Sequence, residues 1–98
     1  MKINIKGHQS FNVTDAIHQY TEEKLKKLLE VFDKITSIDV TLEIEKLEQK
    51  AKAHVKLPKG GDVFAEAANK DMYASIDLLW EKLRKQIISY KERLQDHH

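Results

Sequence analysis

The spacing of apolar residues predicts a strand and then a helix in the first third of the chain. Ile3 and Ile5 alternate with polar residues, which indicates a half-buried strand over residues 1–6. After a polar connector, Thr14 suits the N-cap of a helix, and the apolar spacing is helical from there to about Phe32. The stripe that should face the core consists of Ile17, Thr21, Leu25, Leu28 and Phe32.

Three more strands follow, because the period of the pattern returns to two residues. A polar bend over residues 46–50 separates the first two, and the apolar residues of the second begin at Ala51. Residues 58–62, PKGGD, have the composition of a hairpin turn in which both glycines tolerate a positive φ. A short strand from about Val63 to Ala67 completes the set. The core side of the first of these strands is formed by Ile38, Val40, Leu42 and Ile44.

The longest apolar stripe predicts a helix of about six turns from Asp71 onward, and we assign Tyr73 and Trp80 to its buried side. The element order is therefore β-α-β-β-β-α, an α+β fold. A right-handed crossover makes the first two strands parallel, so we expect a four-stranded mixed sheet with two helices packed on one face. The stripe comprises Met72, Tyr73, Ile76, Leu79, Trp80, Leu83, Ile87, Tyr90 and Leu94.

Composition narrows the class of protein. The chain has 98 residues, of which 41% are hydrophobic and 34% charged, so residues 1–98 are expected to form a single domain. No apolar run approaches the roughly 20 residues of a membrane span, and the start lacks the apolar stretch of a signal peptide, which predicts a cytoplasmic protein. The absence of cysteine excludes disulfides and thiolate metal sites.

Little in the sequence indicates catalysis. The internal histidines have no carboxylate or nucleophile at a spacing that forces contact, and the two glycines of PKGGD lack the residues of a phosphate loop. We therefore predict that the chain is not an enzyme and holds no metal or cofactor. The terminal pair His97-His98, whether native or the remnant of a tag, implies no site. The internal histidines are His8, His18 and His54.

The positions of the cations suit a polyanionic partner better than the net charge of +1 suggests. On the first helix Lys24 and Lys27 project from one flank. On the last helix Lys82, Lys85 and Arg93 lie within roughly 80° of arc. If these flanks meet, they form one cationic ridge that can contact a phosphate backbone without reading bases. The opposite flank of the last helix carries Arg84 and Lys91.

Other interpretations of the surface stay open. Residues 71–98 hold five basic and five acidic residues, a mixture typical of a solvated helix face. Leu78 and Ile88 project away from the stripe and would suit a protein-interaction adaptor. The outer sheet face alternates acidic and basic strands, which indicates cross-strand ion pairs. We find no aromatic residue there that could stack on bases, so an RNA reader on the sheet surface is disfavoured.

Two segments carry a family resemblance. Residues 71–87, DMYASIDLLWEKLRKQI, resemble the C-terminal helix signature of the ribosome hibernation factors. The first 35 residues are similar to the same family, with an INI strand, a TDAI helix start and a KLKKL core. The resemblance covers nearly the whole chain and implies the family's β-α-β-β-β-α fold, which is like that of a double-stranded-RNA-binding domain.

The resemblance implies a translation inhibitor of stationary phase or stress. Its relatives bind the small ribosomal subunit and its rRNA in the channel between head and body, where they exclude tRNA and mRNA. Lys85 stands where many relatives carry Arg, which keeps the charge but loses the bidentate phosphate geometry. The positions that match the family's basic residues, and that are therefore expected to bind rRNA, are Lys24, Lys27, Lys82, Lys85 and Arg93.

Length is the basis for a finer expectation. Long members of the family carry a C-terminal dimerisation domain and protein Y carries an extended C-terminal tail, whereas this sequence ends just past the last helix. It therefore looks like a short member, which acts with the separate ribosome modulation factor to stabilise inactive ribosome dimers and is a monomer off the ribosome. The alternative is a protein Y-like inhibitor, which stabilises inactive single ribosomes and opposes dimerisation.

Overall fold

The computed structural model describes residues 1–9 and 11–96, so His97 and His98 lie outside the described residues. The elements are β1 (Lys2–Gly7), α1 (Asp15–Lys26), α2 (Leu28–Val31), β2 (Ser37–Glu45), β3 (Glu48–Lys56), β4 (Val63–Asn69) and α3 (Met72–Asp96). The strand order in the sheet is β1-β2-β3-β4, with β1 and β2 parallel and the other neighbours antiparallel. The predicted mixed sheet and α+β order are confirmed.

The first predicted helix is divided into two. Thr14 caps α1 as expected, because its Oγ1 accepts a hydrogen bond from the Ile17 N–H at 3.2 Å. At Lys27 the backbone N–H bonds instead to the carbonyl oxygen three residues earlier, at 3.3 Å, and α1 ends before α2 begins. The apolar stripe continues across the break, since Leu25 and Leu28 are both fully buried.

The core lies between one face of the sheet and the helices. α3 packs over β3 and β4, and α1 packs over β1 and beside α3. Thr21 and Ser75 are buried with the apolar residues, and each hydroxyl donates to a backbone carbonyl, at 2.7 and 2.6 Å. Over residues 1–9 and 11–96, no helix combines the length and the hydrophobicity that a membrane span needs. The buried residues of β3 and β4 under α3 include Ala51, Ala53, Ala65 and Ala67.

The β2–β3 hairpin is tighter than predicted. Only Lys46 and Leu47 connect the strands, with Lys46 in the left-handed region at φ 59°, so β3 begins at Glu48, three residues earlier than expected. Ile44 was predicted to face the core and is instead 47% exposed. The buried apolar residues of β2 end at Leu42, so Ile44 lies beyond the core at the hairpin end of the strand.

The turn before β4 uses its glycines differently from the prediction. Gly60 has a positive φ of 70°, but the second positive φ, 60°, belongs to Lys59, whereas Gly61 is at φ −82°. A glycine is required at position 61 for space, because an added Cβ would lie 2.0 Å from a ring carbon of Tyr90. β4 then continues to Asn69, two residues beyond the predicted end.

Ion pairs cover part of the outer sheet face. The Lys52 Nζ lies 2.8 Å from the Glu43 Oε1, and the Lys50 Nζ lies 2.9 Å from the Glu45 Oε1. These contacts confirm the predicted cross-strand pairing between β2 and β3. The hydrogen bond between Lys50 and Glu45 lowers the pKa of Glu45 and raises the pKa of Lys50. Both groups therefore stay charged near neutral pH.

The same face carries an exposed aromatic ring. Phe64 in β4 is 58% exposed, because the buried side chains on either side of it, Val63 and Ala65, occupy the core side of the strand. The prediction that this face has no aromatic residue was therefore wrong.

Candidate nucleic-acid interface

A cluster of cations and aromatic rings joins α1 to α3. The Nζ of Lys24 lies 3.4 Å from the Asp77 Oδ1 and 5.3 Å from the centroid of the Trp80 ring. The guanidinium carbon of Arg84, one turn further along α3, lies 6.0 Å from the same centroid. Both distances permit cation–π attraction. These residues, together with Tyr20 and Tyr73, are called the junction cluster below.

Tyr20 connects the carboxylate of the junction cluster to a second ring. Its hydroxyl donates to the Asp77 Oδ1 at 2.5 Å, and its ring packs edge-on against Tyr73 with centroids 4.9 Å apart. The hydrogen bond to Asp77, with burial and the carboxylate's charge, raises the pKa of Tyr20 to about 12. Asp77 therefore contacts both Tyr20 and Lys24, and these contacts fix where the Lys24 ammonium lies.

Alkaline pH should break the hydrogen bond between Tyr20 and Asp77. The folded-state pKa of Tyr20 is raised, so the hydrogen bond of its protonated hydroxyl stabilises the fold fully below the ordinary tyrosine pKa near 10. This contribution to the free energy of unfolding is lost as the pH rises toward about 12. A titration followed by tyrosinate absorbance should show an ionisation step near pH 12, and Tyr20→Phe should remove that step. Asp77→Asn should shift it to lower pH. A step near pH 12 that survives in Tyr20→Phe would contradict the assignment.

Two aromatic residues of the junction cluster are less buried than predicted. Tyr73 is 38% exposed, and Trp80 is half-buried rather than part of the closed core. Both lie at the edge of the α3 stripe that faces α1, where the neighbouring helix covers only part of each ring. The Trp80 ring is therefore only partly exposed, beside two cations, and its Nε1 is buried without a hydrogen-bond partner among the described residues.

The other flank of α3 is attached to the edge of the sheet. The Lys82 Nζ donates to the Glu66 carbonyl oxygen at 2.8 Å, and the Gln86 Nε2 donates to the Phe64 carbonyl oxygen at 2.9 Å. β4 is the last strand of the sheet, and these two carbonyl oxygens accept from side chains of α3. Lys82 and Gln86 thus cover an edge that would otherwise be open to pairing with another strand.

The structure does not form the single ridge that was predicted. The flank of α3 that meets the first helices carries Arg84 and Lys91, and the Lys91 Nζ donates to the Val31 carbonyl oxygen at 3.2 Å. The flank with Lys82 lies on the opposite side, over β4. Helical spacing defines the angle between the two flanks, but the sheet order decides which one turns toward α1. Because β4 is the outer strand beneath α3, the Lys82 flank meets the sheet edge.

The remaining predicted cations are exposed. Lys27 lies at the break between α1 and α2, and Lys85 lies on the outer side of α3. The Arg93 Nη1 donates to the Ser89 Oγ at 3.5 Å. Within the described part of the chain, no carboxylate lies within ion-pair distance of these three cations. The exposed surface of α3 also carries the acidic residues Glu81 and Glu92.

One histidine has a carboxylate partner that the sequence analysis missed. The His54 Nε2 lies 3.0 Å from the Asp62 Oδ2, and the other oxygen of Asp62 accepts the Leu57 N–H at 3.3 Å. The hairpin register would have revealed the pair, since β3 and β4 run antiparallel on either side of this turn. His8 and His18 are exposed. Among the residues that the structure describes, no three His, Asp or Glu side chains are grouped to hold a metal ion.

Comparison with known proteins identifies the family. Residues 3–95 match the family described as Sigma 54 modulation protein / S30EA ribosomal protein. The chain belongs to this family. Curated relatives are named ribosome hibernation promoting factor, which confirms the resemblance found in the sequence.

The family relatives match over almost their full length. The ribosome hibernation promoting factor of Azotobacter vinelandii is 48% identical over 93 residues, which cover 95% of this chain and 85% of that protein. The factor of Escherichia coli K12 is 35% identical over 97 residues, covering 99% of this chain and 100% of that protein.

Solved structures of similar proteins share the fold. A ribosomal subunit interface protein from Coxiella burnetii superposes with a TM-score of 0.87 at 36% identity, covering 94% of this chain and 99% of that one. The N-terminal domain of Thermus thermophilus protein Y superposes with a TM-score of 0.81 at 31% identity, covering 92% and 99%.

Proposed function

We propose that this chain is a ribosome-binding translation inhibitor that keeps ribosomes inactive in stationary phase or stress. The observation that carries the proposal is the match to hibernation promoting factors over 95% or more of the chain. The protein acts in the cytoplasm, by binding and not by catalysis, and needs no cofactor.

The spacing of the cations supports an extended polyanion as the ligand. Lys82, Lys85 and Arg93 extend over about 16 Å of α3 at 1.5 Å per residue, which is too far for a single phosphate group to contact all three. The phosphate backbone of rRNA meets this requirement and needs no base-specific geometry. Arg84 joins the set because it shares the Trp80 ring with Lys24. The proposed rRNA-binding residues are Lys24, Lys27, Lys82, Lys85, Arg93 and Arg84.

We propose that inhibition is steric. The radius of gyration is 13.6 Å, close to the roughly 13 Å of a compact domain of this size, so the described chain is a folded body and not an extended tail. In the channel between head and body of the small subunit, such a body occupies the aminoacyl- and peptidyl-tRNA sites and excludes tRNA and mRNA. Phosphate contacts hold it there, and the block itself requires no reaction.

The effect on ribosome dimers has two candidate answers. We propose that the protein acts with ribosome modulation factor to stabilise inactive dimers, as its similarity to proteins named hibernation promoting factor suggests. The similarity to the protein Y domain supports the alternative, an inhibitor that keeps single ribosomes inactive. Sucrose gradients of starved cells distinguish them, because deletion should remove dimers in the first case and increase them in the second.

Mapping RNA protection on purified small subunits tests the proposal directly. Adding the protein should protect rRNA nucleotides that line the decoding channel, and the bound protein should lower the binding of tRNA. Unchanged protection would contradict the proposal. A pull-down that withstands ribonuclease and high salt and contains no ribosomal material would favour the adaptor, with Leu78, which is 38% exposed, as its first contact to test.

A further inference from the structure

One row across the outer face of the sheet differs in chemistry from its neighbours. Asn4, Asp39, His54 and Phe64 lie directly opposite one another on the four successive strands. The Asn4 Nδ2 donates to the Asp39 Oδ1 at 2.8 Å, and Asp62 holds His54 at 3.0 Å. The row therefore runs from an amide and a carboxylate to an imidazole and an exposed phenyl ring, and it is called the central row below.

Lysines flank the central row on both sides. Lys2 and Lys56 belong to the row before it, and Lys6 and Lys52 belong to the row after it. Same-face residues on one strand are about 7 Å apart, so each lysine lies one such step from the central row. Lys52 pairs with a carboxylate, whereas Lys2, Lys6 and Lys56 have no carboxylate within ion-pair distance in the described part of the chain.

A shallow depression lies over the central row. Its volume is about 270 Å³, below the roughly 300–1,000 Å³ of sites that enclose a drug-sized ligand. It is open to solvent and suits one flat ring with a continuing chain better than an enclosed cofactor. Its lining includes all four residues of the central row together with Lys6 and Lys52.

We propose that this face binds a short segment of single-stranded RNA, with one base stacked on Phe64 beside His54. His54 on the adjacent strand can bond the edge of that base, the amide and carboxylate groups of Asn4 and Asp39 can bond the edge of the next base along the row, and the flanking lysines can contact the phosphates. Exposed aromatic residues on a sheet are the means by which proteins stack unpaired bases, whereas a double helix keeps its bases inaccessible to such a ring. The inference goes beyond the proposed function, which uses the helices on the other side of the sheet.

A mixed-sequence RNA hexamer with a fluorescent label is a suitable probe, with binding followed by anisotropy at low salt. Phe64→Leu keeps an apolar side chain but removes the ring, and should weaken binding about fivefold to a hundredfold, the range for loss of base–aromatic stacking. Phe64→Tyr keeps the ring and should retain binding. Leu47→Ala, at a residue that is 90% exposed on the distant hairpin tip, is the matched control and should change nothing.

Amide chemical shifts locate the hexamer. Changes confined to residues 2–6, 37–41, 52–56 and 62–66 would support the proposal, and changes confined to α1 and α3 would overturn it. Equal affinity of Phe64→Leu and wild type, or the absence of hexamer binding at low salt, would also overturn it. So would shifts of the same sheet residues on raising the protein concentration without RNA, which would indicate a second copy as the occupant. Small-subunit binding by Phe64→Leu tests the proposed function separately, and it should be retained.

Discussion

Replacing Leu28 with Ala should lower the free energy of unfolding by about 2–5 kcal/mol, the range for removing a large apolar side chain from a packed core. Leu28 is fully buried and lies in α2, a helix of four residues. A helix this short has no stability of its own, so tertiary packing alone keeps it in place. Urea denaturation followed by circular dichroism would measure the loss, which is a large part of the roughly 5–15 kcal/mol that stabilises a typical domain.

The neighbouring residue supplies a matched control. Leu29 has the same side chain in the same helix but is only partly buried, so Leu29→Ala should cost less. Leu47→Ala, at a hairpin tip that is 90% exposed, should stay within about 0.5 kcal/mol of the wild type. Equal losses for Leu28→Ala and Leu47→Ala would contradict the assignment of the core.

The order of the elements was predictable because each period in the sequence corresponds to one backbone geometry. Ile3 and Ile5 could only share a face in a strand, and the stripe from Met72 onward could only share a face in a helix. The break at Lys27 was not predictable, because the apolar stripe passes through it without a change of phase. The local sequence has no glycine or proline to mark the point where α1 ends.

The exposed ring of Phe64 shows where hydrophobic patterning fails. The usual expectation places the largest apolar side chain inside, but here Ala65 and Ala67 are buried and the phenyl ring is outside. Small residues on the core side of β3 and β4 leave room for α3 to pack close to the sheet. The size of the side chains was therefore misleading, because the strand itself was predicted and Phe64 lies on its outer side.

The candidate site was predictable as a set of residues but not as a surface. Lys24 and Lys82 were both identified from the sequence. In the structure Lys24 of α1 contacts one flank of α3, whereas Lys82 lies on the other flank, over β4. Periodicity describes each helix in isolation, whereas the side of α3 that meets α1 depends on long-range strand order. For the same reason Arg84 was correctly placed opposite Lys82 but was left out of the predicted ridge, although it shares a ring with Lys24.

Reversing the charges of Lys27 and Lys85 together should weaken binding to the small ribosomal subunit by a hundredfold or more. Each substitution removes one charge-assisted contact of about 1.5–3 kcal/mol and adds repulsion from the phosphates. These two lysines make the sharpest test because both are exposed and neither has a partner among the described residues. Lys82 is less suitable, since its loss would also uncover the edge of β4.

The dependence of the affinity on salt separates this effect from a general change in charge. Losing two phosphate contacts should reduce the slope of log K against log salt by roughly two, because fewer counterions are released on binding. The control is the double variant Lys34→Glu and Lys70→Glu, which alters the net charge by the same amount at exposed positions outside the proposed set. It should keep the wild-type slope and most of the affinity. If the two double variants lose affinity equally, long-range attraction and not local contact explains the binding, and the proposed helix surface is wrong even though the chain still binds the ribosome.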